Sequence, residues 1–351
     1  MTPVAGCKHP TSRRICLQSA RSATTSTLSL LGGAGRATLL APESCREGRS
    51  MSTHDPSLSD TGEFPAVPTA SGPRVQVRAA ARSHVGRVRR NNEDHYLIAR
   101  IRRQLEIAST NLDPYLIPPL REEIGYIFAI ADGMGGMASG EEASRLALSA
   151  GLELVRDANK WHLDFTDPAE VDDLKETCLR YFRQINRRVY ERATSHAAME
   201  GMGTTLSVAY SVGLRLFVIH VGDSRVYLSH GGGLEQLTLD HTVAQDLAIS
   251  GKITQSQVKS HRLRNVLTKY VGSPGEGIDA QLQSLDLVDG DRLLLCSDGL
   301  TDLVDDATIA ELLRAADDPQ DACDRLIDAA LQAGGRDNVS AIVVHYLVED
   351  D

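Results

Sequence analysis

The stretch "IFAIADGMGG", Ile127–Gly136, is an apolar run that ends on one carboxylate and a cluster of glycines. A buried strand ending on a charge is costly unless that charge is paired or metal-bound. What Asp132 meets therefore decides what the chain does. Two ligands suit such a turn. Gly133, Gly135 and Ala138 match G-x-G-x-x-A between a strand and a helix, with Glu153 further on, as in a dinucleotide site. Glu153, however, falls inside a helical apolar stripe, and Asp132 would set a carboxylate against a pyrophosphate. A divalent cation removes the conflict. Hard cations take carboxylate and carbonyl oxygens, and side-chain-free Gly133 lets its carbonyl approach one.

One carboxylate cannot hold Mg²⁺ or Mn²⁺, so further acids are needed at strand ends, and they are present. "NNED" supplies Glu93 and Asp94, and "GGRDNVS" supplies Asp337 just before the last apolar run. "LLLCSDG" supplies Asp298 before Gly299, repeating the Asp132–Gly133 pattern. A single Asp-Gly is most simply an ordinary turn. Four such sites sharing one placement argue for a common centre.

Outward from that run, Val75–Ala81 and His95–Ile101 read as strands around the turn "SHVGRVRRNNED", and Tyr126–Ala131 as a third. Residues 102–124 contain "LDPYLIPPL", whose prolines exclude a regular element and suggest a long hairpin insertion. Ala143, Leu146, Ala147, Ala150 and Leu154 form one helical stripe. Val171, Leu174, Cys178, Phe182, Ile185 and Val189 form a second, opened by Asp167 as N-cap and Pro168. The period then drops to two. "TTLSVAYSV", "LRLFVIHV", "RVYLSH" and "LEQLT" read as a meander of adjacent antiparallel strands. Short helices are expected over 242–260. "DRLLLCSD" is a strand followed by helices near 306–315 and 319–333, and "SAIVVHYLV" is the last strand. Strands in runs with paired helices between them indicate an α+β fold, antiparallel sheet covered by helices.

The 351 residues carry a formal charge of −10 and 42% hydrophobic residues, enough for one large core. The acidic balance argues against a nucleic-acid partner, and no apolar run is long enough for a membrane span. Six cysteines form no Cys-x-x-Cys pair, which points to a reducing, cytoplasmic setting. Residues 1–73 are polar and expected to be disordered. Up to Ser50 they are basic and Ser-rich like a mitochondrial-type presequence, but the polar, Pro-rich 51–73 that follows favours Met51 as the true start.

In order, "RRNNED", "ADGMGG", "GMGTT", "HVGDSRVYL", "LTLDHT", "LLLCSDGLTD" and "RDNVS" resemble the PPM-type, metal-dependent Ser/Thr phosphatases, the protein phosphatase 2C family, in their bacterial form. The resemblance covers about Arg74 to Val348. It implies a sandwich of two antiparallel sheets flanked by helix pairs, with a two-metal centre, Mn²⁺ or Mg²⁺, at one end. Asp132 would then bridge both ions, the Gly133 carbonyl would bind one, and Asp298 and Asp337 the other. Glu93 and Asp94 would hold metals or their waters, and Arg89 would clamp the substrate phosphate. Without the resemblance, Arg87, Arg89 and Arg90 are indistinguishable. The implied reaction is hydrolysis of phosphoserine and phosphothreonine on proteins by a water held between the ions, opposing a bacterial Ser/Thr kinase. A module that keeps the fold and only binds phosphoproteins is the other class weighed; the full set of acids favours the enzyme.

Gly203, Thr204, Thr205, Gly222, Asp223 and Ser224 match motifs read as supports of the site, and residues 240–275 match a flap in which His241 is read as a structural hydrogen-bonder. The chain departs from the family in three places. His84 stands where many relatives have Asp. Met134 stands where animal members carry a histidine. Ala198 lacks the carboxylate that bacterial relatives use for a third metal, and although Asp302 is in place and Glu200 near, a third ion is left in question.

Overall fold

The structure, a computed structural model, describes residues 60–63, 74–103, 123–135, 139–158, 168–275 and 278–349. In chain order the first elements are β1 (Asp60–Glu63), β2 (Arg74–His84), β3 (Asp94–Arg103), β4 (Glu123–Met134), α1 (Ser139–Arg156) and α2 (Pro168–Ser195). Next come β5 (Gly203–Thr204), β6 (Leu206–Val212), β7 (Arg215–Val221), β8 (Arg225–His230), β9 (Gly233–Gln236), α3 (Val243–Ile249) and α4 (Gln255–Val258). The last are β10 (Gln281–Asp286), β11 (Arg292–Cys296), α5 (Asp298–Thr301), α6 (Asp306–Ala315), α7 (Pro319–Gln332) and β12 (Val339–Glu349). One sheet runs β1-β2-β12-β11-β8-β9 and the other β10-β7-β6-β4-β3, with β5 added at the end of β4.

Side chains alternate between the faces of a strand, and here both faces are buried. Val77, Ala79 and Ala81 of β2, Phe128 and Ile130 of β4, Leu293 and Leu295 of β11, and Ile342 and Val344 of β12 meet between the sheets. The alternate residues face helices. Ile127 and Ala131 pack under Ala143, Ala147 and Ala150 of α1 and Phe182 of α2, while Leu294, Cys296, Ala341 and Val343 pack under Ile309 of α6 and Leu326 of α7. The result is four layers, helix–sheet–sheet–helix, the α+β sandwich expected. It also explains why "IFAIA" is apolar at every position.

At one end of the sandwich the stripes facing between the sheets turn polar. Following every second residue, β2 ends on Ser83, β3 begins at Asp94, β4 reaches Asp132, β11 runs into Ser297 and β12 starts from Ser340. That is where the candidate site forms.

Several expectations need correction. The meander breaks between "LRLFVIHV" and "RVYLSH": β7 pairs with β6 and β10, whereas β8 joins the other sheet beside β11 and β9. Gly222 makes the crossing possible. Its φ is +113°, and a Cβ there would lie 2.6 Å from the Thr205 Cβ. Strand β10 went unread because its residues are half-buried and Gln281 and Gln283 interrupt the apolar pattern. Strand β4 does not stop at Ala131 but continues through Asp132 to pair Gly133 and Met134 with Thr204 and Gly203. Within the tail expected to lack structure, Asp60–Glu63 pairs antiparallel with Arg78–Ala81 of β2; the rest of 1–73 lies outside the described residues. Arg103 pairs with Glu123 at the base of the expected hairpin, whose residues 104–122 also lie outside them.

Candidate metal centre

Asp94 and Asp132 are direct cross-strand partners in the β3–β4 ladder. Like charges placed opposite each other are destabilising, so the register itself calls for a counter-charge. Asp94 is 5% exposed. Its Oδ2 accepts from the hydroxyls of Ser297 and Ser340, each at 2.7 Å. Ser340 has one proton to give, so Ser83, 2.7 Å away, donates to it in turn, and Asn92 donates to Ser83. Asp94 Oδ1 is buried and has no hydrogen-bond partner. Burial pushes the Asp94 carboxyl up to about 6 against the pull of the two serines.

Asp132 is held through its backbone. Its N–H donates to Thr205 Oγ1 (2.9 Å), and its carbonyl accepts from Thr204 Oγ1 (2.8 Å) and the Thr205 N–H (2.9 Å). The carboxyl is thereby left to the cleft, where burial, then Asp94, Asp298, Asp223 and Asp337, raise it well above the usual carboxylate range. Asp298 is raised well above it too, by burial and then by Asp223, Asp302, Asp337 and Asp94. Burial, followed by Asp240, takes Asp223 up to about 7.

The two glycines after the strand-end aspartates are required by close approach. A Cβ on Gly133 would lie 2.1 Å from the Gly140 carbonyl oxygen, and one on Gly299 would lie 1.9 Å from that of Asn338. The first contact seats the start of α1 on the centre. There the Ser144 hydroxyl donates to the Glu93 carbonyl (2.6 Å), which also accepts from the Gly133 N–H (3.1 Å). Glu93 is raised by its own burial, offset by Arg89.

Asn338, which the sequence reading passed over, ties the remaining parts together. Its Oδ1 accepts from the Glu93 N–H (2.8 Å), and its Nδ2 donates to the carbonyls of Val85 and Asn91, both at 2.9 Å. The turn between β2 and β3 is thus wrapped on the start of β12. Gly86, at φ +81°, lies so close to Asp337 that a Cβ would sit 2.2 Å from its carbonyl oxygen, and His84 Nδ1 accepts from the Gly86 N–H. The wrap distinguishes the three arginines. Arg89 Nη2 reaches Asp337 Oδ2 at 2.7 Å, and its side chain stays 53% exposed at the rim, with N–H groups to spare. The Met134 side chain packs against Gly203 beside Tyr270. His241 accepts from the Gly222 N–H and stacks on the His220 ring.

The structure therefore brings Arg89, Glu93, Asp94, Asp132, Gly133, Asp298 and Asp337 to one end of the sandwich, with Asp223 of the supporting motifs beside them, and adds Ser297, Ser340 and Asn338. The signal for the additions was the polar residue closing each otherwise apolar strand. Among the described residues no group of three or more His, Cys, Asp or Glu side chains is drawn together as a preformed metal site. Mg²⁺-type ions keep several waters and use one or two carboxylates each, so they do not need one. An all-oxygen donor set and an unpartnered buried Asp94 oxygen, among carboxylates that raise one another, fit divalent cations. An apolar cavity lies elsewhere, beneath α1 and α2 against β3, β4 and β6, and its walls offer nothing to an ion or a phosphate.

Residues 120–332 match the family model for protein phosphatase 2C. The chain belongs to the protein phosphatase 2C family, as the seven motifs implied. It is 37% identical over 268 residues to the serine/threonine protein phosphatase PstP of Mycobacterium tuberculosis, covering 76% of this chain and 44% of that relative. It is 31% identical to the serine/threonine phosphatase stp of Listeria monocytogenes, covering 62% of this chain and 83% of the relative. The chain thus spans less than half the length of the Mycobacterium relative. The crystal structure of the PstP catalytic domain in complex with two manganese ions superposes with a TM-score of 0.60 at 33% identity, covering 78% of this chain and 99% of that one. The Streptococcus agalactiae serine/threonine phosphatase superposes at 0.63 with 28% identity, covering 78% of this chain and all of that one.

Proposed function

We propose that this protein is a metal-dependent phosphatase that hydrolyses phosphoserine and phosphothreonine monoesters on proteins. The observation that carries the reading is the convergence of Glu93, Asp94, Asp132, Asp298 and Asp337 on a cleft, with the half-exposed Arg89 guanidinium at its rim. In this reading Asp132, the Gly133 carbonyl, Asp298 and Asp337 would hold two Mn²⁺ or Mg²⁺ ions, and Glu93 and Asp94 would hold the ions or their waters. When bound, the ions would supply charge neutralisation for the transferred phosphoryl group and an activated water.

The chain's own residues do the rest. Arg89, anchored on the wrapped turn, presents its planar N–H fork to phosphate oxygens. Ser297 and Ser340, each donating to Asp94 Oδ2, hold that carboxylate in one orientation and keep it an acceptor. Thr204 and Thr205 hold the Asp132 backbone, so its carboxyl keeps its place between the sheets. Catalysis is assigned to residues 74–351, and a Ser/Thr kinase is the expected opposing partner. A reducing, cytoplasmic setting is supported by the free thiols of Cys178, Cys296 and Cys323. No helix among the described residues is long and apolar enough to cross a membrane.

The test is phosphate release from a phosphothreonine peptide with and without Mn²⁺. Turnover should require the ion and respond to Arg89→Ala mainly through KM. Turnover that persists in chelator, or a chain that binds the peptide without hydrolysing it, would overturn the reading.

A further inference from the structure

Among the described residues a third ion finds no complete ligand set. Ala198 lies exposed in the 3₁₀ turn Ala197–Met199 and offers no side-chain donor. Asp302 follows α5, one helical turn after Asp298, and its N–H donates to the Asp298 carbonyl at 2.8 Å. Its carboxylate bears on Asp298 and on Asp223, yet it is already engaged by the flap. Asp302 Oδ2 accepts from Asn265 Nδ2 at 2.9 Å and from Arg264 Nη2 at 3.3 Å. The cleft here has Asp223, Asp298 and Asp302 on one wall and Lys259, Arg264 and Asn265 on the other.

We infer that the flap itself supplies the counter-charge at Asp302: Arg264, assisted by Asn265, stands in for a third cation and ties the flap to the helical turn that carries Asp298. The inference rests on the two-metal reading above. Neighbouring cations in this cleft are committed elsewhere. Arg225 is bidentate to Asp240, and Lys259 reaches Asp306 at 3.3 Å. At its base the flap closes on itself at Thr242–Leu267 and pairs with the core at Thr204–Val271. The Arg264–Asp302 contact, beside Lys259–Asp306, therefore helps set how the middle of the flap sits over the cleft wall. Both partners are partly exposed, at 44% and 33%, so water screens the pair and its worth is that of a surface ion pair. Its role is positioning, felt by a protein substrate that touches the flap.

The experiment is equilibrium dialysis of the full-length chain against Mn²⁺ with metal analysis, on wild type, Asp302→Asn and Arg264→Gln. All three should bind two ions per chain. Each variant should raise KM for a phosphothreonine peptide about 1.5- to 5-fold, the size of an exposed pair. KM for nitrophenyl phosphate, too small to touch the flap, should stay unchanged. The double variant should add nothing to either single one, because both remove the same contact. Arg264→Lys should recover part of the loss. A third Mn²⁺ in wild type that Asp302→Asn abolishes would overturn the inference and leave the two-metal reading standing, as would additive KM effects. No bound Mn²⁺ in wild type would overturn the two-metal reading and the inference with it.

Discussion

Two of the described apolar strands run into Asp-Gly, and they solve the same problem differently. At Asp132–Gly133 strand β4 continues, adding β5 to its edge, and the aspartate is fixed by backbone bonds to Thr204 and Thr205. At Asp298–Gly299 strand β11 stops, and the aspartate opens the four-residue helix α5. In both, glycine is present because another backbone passes where a Cβ would be: that of Gly140 at the start of α1 in the first, that of Asn338 at the start of β12 in the second. One strand end is buttressed by a helix, the other by a strand. Identical local sequence thus reflects a shared need, a carboxylate set beside closely packed backbone, and not a shared local structure.

The largest effect should separate the two aspartates. If Asp132 faces both ions, Asp132→Asn should lower kcat by about 10³-fold, since several kcal/mol of charge stabilisation is lost. Excess Mn²⁺ should not restore it. Asp298→Asn should instead raise the Mn²⁺ concentration needed for half-maximal turnover, with recovery when the ion is raised. Equal, metal-correctable losses at both positions would break the distinction.

Next in size are the glycines. Gly133→Ala and Gly299→Ala each force a backbone apart and should cost about 3 kcal/mol, the upper range for overpacking, read as a lower melting temperature. Gly133→Ala should also weaken Mn²⁺ binding, because its own carbonyl moves. Gly299→Ala should act more through Asn338 and the turn that carries Arg89, so its KM for phosphopeptide should rise. A glycine variant with wild-type melting would show that the backbone approach is slack.

With Mn²⁺ bound, so that the raised carboxyls of the centre stay ionised, a smaller effect should appear on the acid side. Behind Asp132, Thr205 bonds Ser224, and Ser207 bonds His220, which in turn reaches the Gly222 carbonyl. Burial depresses His220 to about 3, with His241 adding to the effect, and takes His241 to about 4, with Lys269 lowering it further and Asp279, Asp246 and Asp240 opposing. Both folded values lie below the unfolded value of about 6.5. The stability these residues contribute is present above pH 6.5 and is lost as pH falls towards 4. Each should cost about 1 kcal/mol between pH 6.5 and 5.5. His345, also depressed by burial, adds in the same direction far from the centre. Hydrogen exchange at pH 5.5 against pH 7 should therefore loosen Thr205 and Gly222 before Val339 and Ser340. Uniform loosening would remove the contrast.

The sequence by itself determined the acids, the glycines that follow two of them, most strands and the helix pairs. Period-two and helical stripes are local and survive without knowledge of partners. It also carried the family, because seven short motifs keep their order. What it could not decide was which strands are neighbours. "RVYLSH" alternates as well in either sheet, and only the crossing at Gly222 sends it to the first. Nor could it rank Arg87, Arg89 and Arg90, since that choice depends on Asn338 binding the carbonyls of Val85 and Asn91 from the far end of the chain. The serines that orient Asp94 were equally illegible: Ser297 and Ser340 are ordinary polar residues until two strands, some two hundred residues from Asp94, place both hydroxyls on one oxygen. Residue type and spacing set which groups are available, and tertiary packing sets which of them meet.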